Sequence, residues 1–202
     1  MPSSLDKKKQ VQYFEKLYCT DSANICLTSG TTKEISILET LTLKQVMLKL
    51  ALKGLFFSGN MLNILSGNGR LNGFFSGYFG RIDCVDACGP AIDAICRQKS
   101  HPFLWNVIGR YEQGWLQEFQ FTFGVKYDMI WCNYGASYLT DSEMETFLQR
   151  ACQHLSENGA IVFKEVVIDD SEENNYLEAQ QRVLRTQSQY ESLFKSLHTV
   201  LI

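Results

Sequence analysis

Proline and histidine are both scarce in this chain, three of each in 202 residues. The histidines stand apart at positions 101, 154 and 198, and none of the seven cysteines forms a C-x-x-C pair. Spacing therefore supports neither a zinc site nor a disulfide framework, and free thiols in a reducing compartment, cytoplasm or nucleus, are the expectation. Long apolar runs are missing too. The most apolar segment, residues 41–57, is broken by Lys44, Lys49 and Lys53, which leaves it too short and too charged to span a bilayer; it reads as an amphipathic helix packed on the domain. The N-terminal stretch has no apolar core of the kind a secretory leader needs. No sustained basic run follows Lys7-Lys8-Lys9, and the net charge is −3, which argues against a nucleic-acid backbone as partner. What remains is an ordinary globular composition, 45% apolar and 20% charged, enough to bury one substantial core.

Hydrophobic periodicity divides the chain in two. Residues 1–60 read as a helical extension, with helices near 6–19 and 41–57 around the Ser/Thr/Gly loop at 28–34. From Met61 to the end, strand-like runs at 61–66, 81–87, 104–109, 127–134 and 160–166 alternate with helical stretches from Arg70, at 89–98, 141–156 and about 176–196. That alternation predicts βαβ units and a parallel α/β sheet covered by helices on both faces. Thr140 or Asp141 is the expected cap of the 141–156 helix, and Gly159 is expected in the left-handed position closing it. The closing "HTVLI" supplies at most one strand, so the sheet is expected to lack a full C-terminal β-hairpin and to present an open edge that a partner subunit would cover.

In an open parallel sheet the ligand lies outside the carboxyl ends of the strands. The first such end is "LSGNGR", where Gly67 and Gly69 allow a tight turn and close approach of backbone to ligand. Nineteen residues after Gly67 comes Asp86, placed where a carboxylate can accept both hydroxyls of a ribose. A lone G-x-G is usually a plain turn; its strand context and the spacing to Asp86 are what single it out. The third end, 107–113, could lay Gly109 to Glu112 along an adenine, with Tyr111 stacking on the ring. The fourth carries Trp131, Asn133, Tyr134 and Tyr138, an aromatic and polar cluster expected at the pocket mouth, although Trp131 taken alone reads as core.

The stretches "LSGNGRLNGFFSGYFGRIDCVDA", "YDMIWCNYGASYLTDSEMETFLQRACQHLSENGAIVFKE" and "QQRVLRTQSQYESLF" resemble the class I S-adenosylmethionine-dependent methyltransferases, and among them the α-N-terminal protein methyltransferases. The shared features are a glycine loop ending in Gly-Arg, a Val-Asp pair at the second strand end, an Asp-x-Ile-Trp strand followed by Leu-Thr-Asp, and an Asn-Gly-x-Ile-Val run leading to Lys and an acid. The resemblance spans roughly residues 61–197. It implies a Rossmann-like fold and methylation of the α-amine of protein N-termini that read X-Pro-Lys. It further implies that Gly67, Gly69 and Arg70 hold the methionine end of S-adenosylmethionine, that Asp86 binds the ribose, and that Arg110 and Tyr111 flank the adenine. Asn133 would complete the cofactor pocket, with Trp131 and Tyr134 toward the substrate.

The departures from that pattern are equally specific. Leu65 stands where the loop usually has its first glycine, and Asn63 where the family has an acid. Tyr138 stands at the position of a family histidine, which makes it the candidate for any proton relay, and Val166 at that of an asparagine. The acidic run Asp169, Asp170, Glu172, Glu173 and Glu178 has no fixed register with the family's aspartate. A second reading therefore stays open, a methyltransferase-fold scaffold or regulatory subunit without turnover. Nothing in the sequence calls for a metal.

Overall fold

The computed structural model describes residues 5–10, 12, 33–171 and 176–195. Most of the first expected helix and the closing 199–202 lie outside the described residues. The long helix α1, Lys33–Leu52, begins earlier and ends earlier than the apolar run suggests. There follow β1 (Asn60–Ile64), α2 (Asn72–Phe75), β2 (Arg81–Asp86), α3 (Gly89–Gln98), β3 (Ile108–Gln113) and β4 (Tyr127–Asn133). A 3-10 turn at Ala136–Tyr138, α4 (Asp141–Cys152) and β5 (Leu155–Lys164) complete the sheet. Beyond it the described chain forms two-residue strands β6 (Val167–Ile168), β7 (Tyr176–Leu177), β8 (Arg182–Val183) and β9 (Arg185–Thr186), then α5 (Gln187–Lys195).

All neighbours in the main sheet are parallel, in the order β3-β2-β1-β4-β5. The order reverses between β1 and β4, so the crevice for a ligand lies above Ile64 and Asn133. Two apolar layers hold the sheet. On one face Leu43, Met47 and Leu50 of α1 and Ile95 of α3 pack with Phe75, Met129 and Trp131. On the other, Phe147 and Leu148 of α4 and Tyr190 of α5 pack with Leu62, Ile130 and Cys132. Strands buried on both faces explain why β1 and β4 read as nearly unbroken apolar runs.

The α4 cap is as expected: the Thr140 hydroxyl accepts from the Glu143 amide while the Glu143 carboxylate accepts from the Thr140 amide, satisfying two otherwise orphaned donors. Three expectations are corrected. Gly159 does not close a helix; α4 ends at Cys152, and Gly159 lies inside β5, where an added Cβ would meet the Tyr127 carbonyl at 2.7 Å. The third strand begins at Ile108, after the turn at 101–107. The 176–196 stretch is α-helical only over α5, because its first half forms the β7–β8 and β6–β9 ladders around a short 3-10 turn at Glu178–Gln180. The helical turn at 7–10 packs against the domain: Gln10 donates to the Tyr138 carbonyl at 3.3 Å and the Gln181 carbonyl at 2.8 Å.

Candidate active site

The loop after β1 is built from three left-handed residues, Leu65 (φ 50°), Gly67 (φ 55°) and Gly69 (φ 71°). Glycine adopts this conformation freely, whereas a leucine pays steric energy for it. The turn is held because the Gly67 amide donates to Asp86 Oδ2 at 2.8 Å, while Asp86 Oδ1 accepts from the Cys88 amide at 2.9 Å. One carboxylate thus ties the glycine loop to the start of α3. Burial outweighs these two bonds and pushes the Asp86 carboxyl up to about 6.

Beneath the loop lies a polar brace. Asn63 donates to Asn72 Oδ1 at 3.1 Å, Asn72 to Gln98 Oε1 at 3.1 Å, and Gln98 to the Asn68 carbonyl at 2.7 Å. Asn63 is buried and engaged with Asn72, so the amide that replaces the family's acid supports the loop from below. A Cβ on Gly69 would collide with this brace, meeting Asn72 Nδ2 and Gln98 Oε1. The Leu65 side chain turns toward the tip of β4, filling the space where a Cβ on Gly135 would stand and joining the core layer of α4 and α5.

Arg70 closes the loop. Both of its terminal nitrogens grip the Glu39 carboxylate of α1, a buried side chain, and Lys164 at the end of β5 donates to the same carboxylate at 2.6 Å. The Lys164 ammonium also lies 4.8 Å from the Tyr134 ring centroid. Tyr134 is itself left-handed (φ 59°), a strained state that singles out the tip of β4. Its neighbour Asn133 is buried with Oδ1 lacking a partner. On the opposite side of β5, Glu165 accepts the Ala136 amide at 2.6 Å, its second oxygen is buried without a partner, and burial raises its carboxyl to about 7. Tyr138 is 5% exposed, with the Arg182 guanidinium 5.0 Å from its ring centroid. Arg185, fully buried, fastens this turn by donating to the carbonyls of Ala136 and Leu139 and to Asp141.

The sequence-predicted residues therefore divide. Gly67, Gly69, Arg70, Asp86, Asn133 and Tyr134 come together around the tips of β1, β2 and β4. Trp131 does not line a pocket mouth: it is 1% exposed, one pleat below the tip, with its ring 5.2 Å from Phe75. Arg110 and Tyr111 part company, because adjacent strand residues point to opposite faces. A bulge on β3 between the partners of Ile82 and Cys84 sets which goes where. Arg110, paired with Glu112, lines an open cleft of about 520 Å³ with Gln113, Trp115 and Phe119; Tyr111 faces α3, its hydroxyl 3.3 Å from Cys96. That cleft lies at the outer edge of the sheet and shares with the loop only the tips of β2 and β3. Three residues of the site were not singled out in the sequence, Glu39, Lys164 and Glu165, although the last two are the Lys and acid that follow the Asn-Gly-x-Ile-Val run. Glu39 had a signal: it is the sole acid between residues 35 and 57, in helical phase with the buried Leu43, Met47 and Leu50.

These residues fit S-adenosylmethionine on their own evidence. Arg70 and Lys164 already hold a carboxylate, the Asn133 oxygen is a buried acceptor without a donor, and the Asp86 carboxylate stands at the tip of β2 beside a left-handed glycine loop. A parallel sheet in this order, with a left-handed loop over its switch point, defines a Rossmann-like class I methyltransferase. Solved structures share the fold: a SAM-dependent methyltransferase from Leishmania major superposes with a TM-score of 0.76 at 18% identity, over 96% of this chain and 74% of that one. DhpI in its complex with SAM and HEP superposes with a TM-score of 0.69 at 18% identity, over 98% and 91%. The chain belongs to the AdoMet-dependent proline di-methyltransferase family, whose model matches residues 6–202, and S-adenosylmethionine is its cofactor. It is also similar to alpha N-terminal protein methyltransferase 1 of Schizosaccharomyces pombe, 32% identical over 77 residues, 38% of this chain and 34% of that protein. The match thus spans about a third of that relative's length.

Proposed function

We propose that the protein transfers a methyl group to the α-amine of protein N-termini of the X-Pro-Lys type. The observation that carries this reading is the loop itself: Leu65, Gly67 and Gly69 keep the left-handed turn and its tie to Asp86 although the first glycine is gone. The likeness to the fission-yeast alpha N-terminal protein methyltransferase 1 supports the choice of an N-terminal amine as acceptor.

When bound, S-adenosylmethionine supplies an electrophilic sulfonium methyl. This chain's residues hold and orient. Arg70 and Lys164 would take the α-carboxylate as charge-assisted donors, Gly67 and Gly69 would let the backbone approach the methionine end, and Asp86 would accept the ribose hydroxyls. Asn133 Oδ1 would accept a cofactor donor, and Arg110 would stand at the adenine end. Tyr134, with its strained backbone beside Lys164, would border the channel for the incoming amine, which must lose its proton before it attacks in line. Tyr138 is the candidate relay for that proton, with the Arg182 guanidinium over its ring.

Transfer of labelled methyl into peptides beginning X-Pro-Lys, set against N-acetylated copies, RNA and small amines, tests the reading. Label confined to free X-Pro-Lys peptides supports it, and Tyr138→Phe should then abolish turnover with cofactor binding intact. The scaffold reading has its own observation, the burial of Tyr138 under Arg182 with Val166 at the next family position. Cofactor binding without transfer to any acceptor would favour it.

A further inference from the structure

We propose that Glu39 of α1 is a clasp on the cofactor site and sets its affinity: its carboxylate holds the Arg70 fork and the Lys164 ammonium, the donors that the cofactor's α-carboxylate would take. The inference rests on the assignment of Arg70 to the methionine end. A guanidinium presents its paired nitrogens in a geometry that matches one carboxylate, and both terminal nitrogens of Arg70 are on Glu39. An incoming carboxylate must displace Glu39 or accept a poorer edge of the fork.

The packing of α1 lets the clasp open. Among its described side chains, the buried apolar contacts begin at Leu43 and continue through Met47 and Leu50. In the turns around Glu39, Ile37, Leu38 and Leu41 are 51%, 62% and 50% exposed. Among the described side chains from 37 to 42, Glu39 is the buried one and its ion pairs reach inward, while the rest of the helix is fixed by the core. Displacement would strand Glu39 unless the turns swing outward and return it to water, because an unpaired buried carboxylate is costly. Arg70 and Lys164 would lose nothing, since one carboxylate replaces another. Cofactor binding and docking of the first turns of α1 therefore compete for the same two cations.

Equilibrium titration separates this from other roles for Glu39. S-adenosylhomocysteine carries the amino-carboxylate; 5′-methylthioadenosine shares the adenosine and the sulfur but lacks it. Glu39→Gln should bind S-adenosylhomocysteine roughly tenfold tighter, about the worth of one charge-assisted contact, and methylthioadenosine unchanged. Arg70→Gln should weaken the first ligand and spare the second. Unchanged or weaker binding of S-adenosylhomocysteine by Glu39→Gln, with the Arg70→Gln loss in place, overturns the clasp and leaves the Arg70 assignment standing. No loss in Arg70→Gln removes that assignment and the clasp with it. Should Glu39→Gln fail to fold, hydrogen exchange on the wild type decides: S-adenosylhomocysteine should speed exchange at residues 37–42 relative to 43–50, and slower exchange there refutes the clasp.

Discussion

Leu65 and Gly135 are matched across the tips of β1 and β4: the leucine side chain fills the space that a Cβ on Gly135 would need. The loop gave up a glycine at 65, and the opposite tip has one. The left-handed backbone is retained at Leu65, and the bulk is absorbed by the core layer of α4 and α5, which is why losing the first glycine does not unmake the turn.

Leu65→Gly should accordingly cost stability without improving the site. Release of left-handed strain returns about 1 kcal/mol, while loss of a half-buried leucine costs about 2 kcal/mol, so a net loss near 1 kcal/mol is expected in denaturant titration. Affinity for S-adenosylhomocysteine should change less than about threefold, well under the factor of ten that 1.4 kcal/mol represents. A tenfold gain would mean that the leucine crowds the cofactor. Gly135→Ala, which drives a methyl into Leu65 and Cys132, should destabilise by roughly 1–3 kcal/mol.

Burial raises the Asp86 carboxyl, and that gives cofactor binding an acid limb. Its folded carboxyl sits near 6, and a ribose acceptor works best ionised, so wild-type affinity for S-adenosylhomocysteine should be level above pH 7 and fall as pH drops through 6. Asp86→Asn should bind roughly tenfold weaker at pH 8, as loss of a charged acceptor predicts, and show no such fall. Calorimetric titration at four pH values decides it, and parallel pH profiles for the two proteins would take Asp86 out of the ribose site.

Glu165 should make the fold more stable in mild acid. Its folded carboxyl is raised to about 7 from an ordinary 4.5, so the folded state binds its proton more tightly than the unfolded one. That contribution is complete below about pH 4.5 and disappears as pH rises through 7, a swing of roughly 3 kcal/mol at 1.36 kcal/mol per unit. Glu165→Gln keeps an acceptor for Ala136 without the charge. Its melting temperature should exceed that of the wild type at pH 8 and converge on it near pH 5; a constant offset between the two curves would refute the assignment.

Trp131 is expected to behave as core. Trp131→Ala should cost about 3–5 kcal/mol of stability, read by chemical denaturation, while Trp131→Phe should leave cofactor affinity unchanged in the folded protein. A large affinity loss in Trp131→Phe would place the ring at the site after all.

Local physics made much of this protein legible in its sequence. A short apolar run bounded by Gly67 and Gly69 reads as a strand and a turn, because a chain must leave a buried strand through residues that tolerate left-handed angles. Thr140 or Asp141 reads as a helix start because the first amides of a helix need acceptors, and Asp86 reads as a strand-tip acid from its distance to the loop. All of these are consequences of neighbours within a few residues or of one βαβ unit. The side to which a residue points is another matter. A one-residue bulge on β3 exchanges the faces offered by Arg110 and Tyr111, and the depth of Trp131 within β4 depends on the registers of β1 and β5 on either side. Only the tertiary structure could bring Glu39 to Arg70, 31 residues away, and to Lys164, 125 residues away. The energy of a buried carboxylate depends on which cations the folded chain gathers around it, and no local pattern encodes that gathering.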